Sequence, residues 1–292
     1  MRIEGKKIAD EILAELAVEV AQLKSSGAKT PHLAAVIVGS DGASETYVGA
    51  KVRACEKIGI ASSLFHLPEN TSEAELLKKI ETINQDPSID GFIVQLPLPK
   101  HIAEDKVINA IAPHKDVDGF HPQNVGRMVL NLPTYLPATP YGIIQLLERS
   151  NIDTIGKHCV VIGRSHIVGS PISILLSKNA NPGNCTVTLA HSKTKNLADI
   201  TLQADIIITA IGIPGFLKAD MVKEKAVVID VGITRIPSPA SKSGYKIVGD
   251  VDFDAVSAKC AYITPVPGGV GPMTIISLLQ NTIRACKKSI YN

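Results

Sequence analysis

The chain has 292 residues, 45% of them hydrophobic and 20% charged, with a formal net charge of +2 and a pI near 8.2. That length suits one large domain or two modest ones, and the near-neutral charge without any basic block excludes an electrostatic nucleic-acid binder. The charged, amphipathic start "MRIEGKKIADEILAELAVEV" has no apolar core of signal-peptide length, no run approaches the roughly 18 apolar residues of a membrane span, and a cytoplasmic protein without a membrane partner is expected.

The first predicted element is a helix, "GKKIADEILAELAVEVAQLKSSG", with Ile8, Ile12, Leu16, Val20 and Leu23 on one stripe. "HLAAVIVG" reads as a buried strand, "SETYVGAKVRACEKIG" as a helix and "ASSLFHLP" as a strand. "TSEAELLKKIETINQD" reads as a helix capped by Thr71 or Ser72. "DGFIVQLPLP" is a strand ended by prolines that cannot extend a ladder. The Pro-rich "NLPTYLPATPYG" interrupts the alternation, and "YGIIQLLERSN" reads as a connecting helix. A second series follows: "HCVVIG", "PISILLSKN", "CTVTLAHS", "LADITLQA", "DIIITAIG", "AVVIDVGI" and "AYITPV", closed by the amphipathic helix "MTIISLLQNTIRACKKS". Strand–helix alternation of this kind predicts an α/β class with mostly parallel sheets, in two units joined near residue 140. The cysteines Cys55, Cys159, Cys185, Cys260 and Cys286 are scattered, odd in number and without a CxxC, which predicts free thiols in a reducing compartment.

In the second series, "VVIGRSHIVGSPISILL" is strand, glycine turn, helix, the setting in which free backbone N–H groups and the helix dipole bind a pyrophosphate. The match to G-x-G-x-x-G is partial: Gly163 fits, Ser165 replaces the second glycine, and Gly169 comes one residue late. The next strand, "TVTLA", runs into His191, Ser192 and Lys193 with no acid to accept a ribose 2′-OH. Ser192 and the nearby Arg164 suit a 2′-phosphate, so NADP is expected over NAD. A turn capped by Ser192 beside a solvated Arg164 is the competing reading.

In the first series, Tyr47 and Lys51 stand four apart and share one helix face. They are either a solvated pair or a catalytic lysine under an aromatic platform. Gln95 closes an apolar strand, where a buried amide must find partners. "HKDVDGFHPQN" gathers His114, Asp116, Asp118 and His121, but the spacing fits neither an EF-hand nor HExxH, no cysteine joins in, and no metal is expected. A turn supported by Asp side chains is the plainer reading. "TPVPGGVGPMT" sets glycines before a helix without the GK[ST] of a P-loop, and the chain has no G-x-S-x-G elbow. These absences argue against an NTPase and a serine hydrolase.

Taken together, "YVGAK", "VQLPLP", "KDVDGFHPQNVGR", "GRSHIVGSP", "DVGITR" and "PVPGGVGPMT" closely resemble the bifunctional methylenetetrahydrofolate dehydrogenase/cyclohydrolase family, in order along nearly the whole chain. The resemblance implies two α/β domains flanking a cleft: residues 1–139 plus 273–292 as the catalytic, folate-binding domain, and 140–272 as a Rossmann-like, doubly wound NADP-binding domain. It implies a homodimer that oxidises methylenetetrahydrofolate with NADP and hydrolyses the methenyl product to formyltetrahydrofolate. Lys51, Tyr47, Gln95 and Asp118 would form the catalytic set: Lys51 moving protons in hydrolysis, Gln95 orienting it, Tyr47 packing on the folate ring and Asp118 anchoring the pterin edge. Gly163, Arg164, Ser165, Ser192 and Ile233 would hold the cofactor, and Pro267, Gly268 and Gly269 would join Tyr47 and Asp118 in binding folate. Arg53, Ala138 and the longer connection at 179–184 depart from the family's usual pattern. No fused ligase domain is expected, since the chain ends at its closing helix. The nearest alternative is a single-activity NAD(P)-dependent dehydrogenase of the same family. A non-catalytic nucleotide sensor has no use for the Lys51 set, and a shikimate-type dehydrogenase leaves "PGGVGPMT" unexplained.

Overall fold

The computed structural model describes residues 1–39, 42–239, 241 and 244–291. In chain order the elements are α1 (Gly5–Ser25), β1 (His32–Val38), α2 (Gly42–Ile58), β2 (Ala61–Leu67), α3 (Glu73–Gln85), β3 (Gly91–Val94), α4 (Glu104–Ala110), α5 (Pro122–Val129) and α6 (Ala138–Arg149). They continue as β4 (His158–Ile162), α7 (Gly169–Ser177), β5 (Thr186–Ala190), α8 (Leu197–Thr201), β6 (Ile206–Thr209), β7 (Val227–Asp230), β8 (Thr234–Pro237), β9 (Tyr245–Val248), α9 (Phe253–Ser257), β10 (Tyr262–Ile263) and α10 (Val270–Cys286). Two compact units form, one from Glu11–Ala138 with Ile275–Asn292 and one from Met1–Asp10 with Thr139–Thr274.

The first of these units holds a three-stranded parallel sheet in the order β2-β1-β3. The central β1, "HLAAVIV", is buried along all but its first residue, as expected of a parallel strand covered on both faces. The edge strand β2 is only partly buried and carries Ser62, Ser63 and His66. Val36, Leu76, Ile80, Phe92 and Val107 make the core beside the sheet. Helix α3 starts at the expected place: Ser72 caps it, accepting from the Glu75 N–H (3.3 Å), while the Glu75 carboxylate accepts from the Ser72 N–H (2.8 Å). Ser72→Ala is expected to lower stability by about 1 kcal/mol, read as a lower urea midpoint at unchanged slope. In α10, the Asn281 amide donates to the carbonyls of Val117 (2.9 Å) and Leu136 (3.0 Å).

The other unit holds a five-stranded parallel sheet in the order β10-β7-β6-β4-β5, with β8 and β9 as a separate antiparallel pair. The apolar runs of β4, β6 and β7 are its buried centre. Its first ten residues differ from the sequence boundary, which grouped 1–139 together. The physical reason is pairing: Arg2 bridges Ile263, the Ile3 N–H donates to the Ile263 carbonyl (2.8 Å), and the Lys6 N–H donates to that of Gly268 (2.9 Å). All five cysteines are free. No helix among the described residues is long and apolar enough to cross a membrane.

Candidate active site

Lys51 sits where α2 should be apolar. Val48 and Cys55, three residues before it and four after, are fully buried, and Lys51 between them is only 6% exposed. An amine in that stripe must be hydrogen-bonded, and its Nζ donates to Gln95 Oε1 at 3.1 Å. Gln95 follows β3 directly, where its N–H donates to the Val36 carbonyl of β1 (2.9 Å) and its own amide donates to the Leu96 carbonyl (2.7 Å). The side-chain oxygen is thereby aimed at the lysine. The lysine–glutamine pair lies on the carboxyl side of a sheet whose order reverses at β1, the position where open parallel sheets bind ligands.

Asp118 reaches the same place by a close backbone approach. Asp116 forms a parallel bridge to Phe92 of β3, with the Phe92 N–H donating to the Lys115 carbonyl (3.0 Å). Gly91 permits this, since a Cβ there would lie 2.2 Å from Val117. Asp116 itself is the turn support: it accepts from the N–H groups of Gly119 (3.1 Å), Phe120 (3.3 Å) and His121 (2.8 Å) and from the Asn124 amide (2.8 Å). Asp118, two residues on, is thus separated from that scaffolding role.

Burial disfavours the charged form of both groups. It lowers the pKa of Lys51, against the opposing pull of the Asp118 charge. It pushes the Asp118 carboxyl up to about 6, against the attraction of Lys51 and with a further push from Asp116. Burial also raises the phenol of the half-buried Tyr47. Among the described residues, no group of three His, Cys, Asp or Glu side chains is placed to hold a metal ion.

The five-stranded unit carries a separate cavity of about 410 Å³ at its own order reversal, between β4 and β6. Gly163, Arg164, His191, Ser192, Ile211 and Phe216 are among its lining residues. Gly163 has φ +116°, and a Cβ there would sit 2.3 Å from the Ala210 carbonyl; one at Gly169 would sit 2.0 Å from the Gly163 carbonyl. The late glycine of the motif is therefore a packing requirement between turn and helix. Ser165 is exposed, and its hydroxyl accepts from the N–H groups of Val168 (3.2 Å) and Gly169 (3.3 Å), bracing the entry to α7. Ile233 is 45% exposed just before β8 and is not among the lining residues. The connection at 179–184 lies before the amino end of β5, with the whole strand between it and Ser192. Pro267 is exposed, Gly268 has φ +100°, and Gly269 is packed so that a Cβ would lie 2.5 Å from the Pro265 carbonyl. These three belong to the five-stranded unit, whereas Tyr47, Lys51, Gln95 and Asp118 belong to the other.

Residues 3–118 match the family model described as tetrahydrofolate dehydrogenase/cyclohydrolase, catalytic domain, and residues 137–290 match that family's NAD(P)-binding domain. The chain belongs to the tetrahydrofolate dehydrogenase/cyclohydrolase family. It is 65% identical to the bifunctional protein FolD of Cytophaga hutchinsonii over 97% of this chain and 98% of that one. Among solved structures, the bifunctional FolD enzyme of Campylobacter jejuni superposes with a TM-score of 0.92 at 49% identity, covering 99% of each chain. The Trypanosoma brucei methylenetetrahydrofolate dehydrogenase-cyclohydrolase, complexed with NADP cofactor and inhibitor, superposes at 0.94 with 37% identity, covering 100% of this chain and 99% of that one.

The family assignment makes the lined cavity the place to test for a dinucleotide. Its polar lining is Arg164, His191 and Ser192, with no carboxylate among the described lining residues, so the donor set suits a phosphate better than a ribose hydroxyl. Sequence reasoning missed the buried Asp230 and Asp250, which are 3% and 0% exposed. The one signal available was their placement after apolar strands or beside glycine.

Proposed function

We propose that this chain catalyses both reactions: NADP-dependent oxidation of methylenetetrahydrofolate to methenyltetrahydrofolate, and hydrolysis of that product to formyltetrahydrofolate. The observation that carries the reading is the buried Lys51, held by Gln95 on the carboxyl side of the sheet in the catalytic domain.

The hydrolysis needs a base near neutral pH. Desolvation favours the neutral amine of Lys51, which can take a proton from a water as its oxygen bonds to the methenyl carbon. The same proton is then available to the folate nitrogen as the carbon–nitrogen bond opens. Gln95 Oε1 accepts one N–H of the amine and fixes the side chain. Asp118, when ionised, accepts from the amide and amino edge of the pterin, and Tyr47 offers a ring face to the fused rings.

The bound nicotinamide supplies a hydride acceptor. Arg164 and Ser192 would hold its 2′-phosphate, Gly163 would let backbone approach the pyrophosphate, Ser165 would keep the turn in shape, and Ile233 would add apolar contact. Arg164→Ala is expected to raise the KM for NADP by about 10–100-fold, the worth of a charge-assisted phosphate contact, with little change for NAD. Initial rates with each cofactor check this. Equal rates with NADP and NAD in the unmodified protein would remove the 2′-phosphate assignment. A homodimer in the cytoplasm completes the reading, and the five free thiols fit a reducing compartment.

A further inference from the structure

Two buried carboxylates of the five-stranded unit have no part in the chemistry above. Asp230 closes β7: its Oδ1 accepts from the N–H groups of Asp250 (2.9 Å) and Gly232 (3.0 Å), and its Oδ2 from that of Val251 (3.0 Å). Asp250 in turn reaches across to the turn after β6. Its Oδ2 accepts from the N–H groups of Ile211 (2.8 Å) and Gly212 (3.2 Å). Ile211 and Ile213 line the cavity at the β4–β6 reversal, so the carboxylate grips the rim of that cavity from behind. The other oxygen, Oδ1, is buried with no hydrogen-bond partner among the described residues.

The local sequence is shaped to admit this carboxylate. A Cβ at Gly232 would lie 2.3 Å from Asp250 Oδ1, and one at Gly249 would lie 1.9 Å from Asp230 Oδ2. Burying an anion with one oxygen unmet costs free energy that a neutral turn would not incur. A turn that needed only stability could close with its own backbone or with a serine. A carboxylate accepts two adjacent N–H groups at once and fixes their direction, which sets where the Ile211–Ile213 backbone and side chains stand.

We propose that Asp250 is a positioning residue for the nicotinamide cofactor, acting by holding the Ile211–Gly212 turn as the rim of its cavity. This rests on the dinucleotide reading of that cavity. The test uses the full-length protein and NADP as the calorimetric probe, with no folate present. Asp250→Ala is expected to weaken NADP binding about tenfold or more, since two charge-assisted hydrogen bonds are lost. Asp250→Asn, which keeps an acceptor for the turn, is expected to restore most of the affinity. Hydrolysis of methenyltetrahydrofolate, which uses no cofactor, should persist in both. If the alanine variant does not fold, Asp250→Glu carries the test: the longer side chain displaces the turn, and the same loss of NADP affinity is expected. Wild-type affinity in a folded alanine or glutamate variant would overturn the proposal. So would hydrolysis falling in parallel with NADP binding, since that marks a structural role only. If the unmodified protein binds NAD and not NADP, the cofactor assignment fails separately, and the same variants are read with NAD.

Discussion

Lys51→Met is expected to abolish hydrolysis of methenyltetrahydrofolate while the protein stays folded. The stripe around Lys51 is apolar, with Val48 and Cys55 fully buried on either side, so a thioether of similar length fits it and no buried charge is left behind. What disappears is the group that, in the proposed mechanism, exchanges protons with water and with the folate nitrogen. General acid–base help of this type is worth roughly 10²–10⁴ in rate, or about 3–5 kcal/mol of barrier. Lys51→Arg should fail as well, because a guanidinium cannot give up its proton near neutral pH. Turnover at saturating methenyltetrahydrofolate, beside a thermal melt, decides the matter. A folded Lys51→Met protein with near-normal turnover would remove Lys51 from the mechanism.

The second large effect lies at Asp118. The carboxyl is pushed up to about 6 by burial, and in the proposed binding mode the pterin edge presents N–H donors that need the ionised form. As pH falls through about 6, protonation removes that acceptor, so kcat/KM for methylenetetrahydrofolate should fall about tenfold per pH unit below it. Asp118→Asn should flatten this limb, and Asp118→Ala should raise the folate KM by about 10²-fold or more, as befits loss of hydrogen bonds to a charged group. The Lys51 charge holds the Asp118 pKa down, so in Lys51→Met the acid limb of the dehydrogenase reaction should move to higher pH. An acid limb unchanged in position and slope in Asp118→Asn would show that another group binds the pterin.

Much of the fold was legible because its central strands are unbroken apolar runs. "HLAAVIV", "HCVVI" and "VVID" are buried almost throughout, and only a parallel strand covered on both faces needs that pattern. The start of α3 was legible from Thr71 and Ser72, and the structure puts the cap on Ser72 with Glu75 completing it. Helices α4 and α9 were not. Each is short and buries one side chain, Val107 and Val256 respectively, too little to write a period. Helix α5 begins at Pro122 behind a His121 cap, inside a stretch whose Asp and Gly residues read as a turn. The β8–β9 pair is half-exposed on every residue or more, so its strands show no alternation.

The site divides in the same way. The spacing of Tyr47 and Lys51 left a solvated pair and a catalytic lysine both open, and the stronger signal is the place of Lys51 in the buried stripe of α2. Asp116 and Asp118 are two residues apart in one polar stretch. Only the bridge from Asp116 to β3 separates the residue that braces the turn from the one left beside Lys51. Asp250 was illegible for a different reason. Its partners are backbone N–H groups 38 and 39 residues earlier, and backbone has no side-chain signature to pair with. Ser165 sat in the glycine motif and read as a cofactor contact, and its hydroxyl also accepts from the N–H groups that open α7.

The most direct test mixes purified protein with methylenetetrahydrofolate and NADP, and follows reduced cofactor, methenyltetrahydrofolate and formyltetrahydrofolate together. Reduced cofactor and formyltetrahydrofolate formed in equal amounts, with little methenyl intermediate outstanding, is the predicted result. Reduced cofactor with methenyltetrahydrofolate accumulating at the rate set by its spontaneous hydrolysis would contradict the bifunctional assignment and leave a dehydrogenase alone.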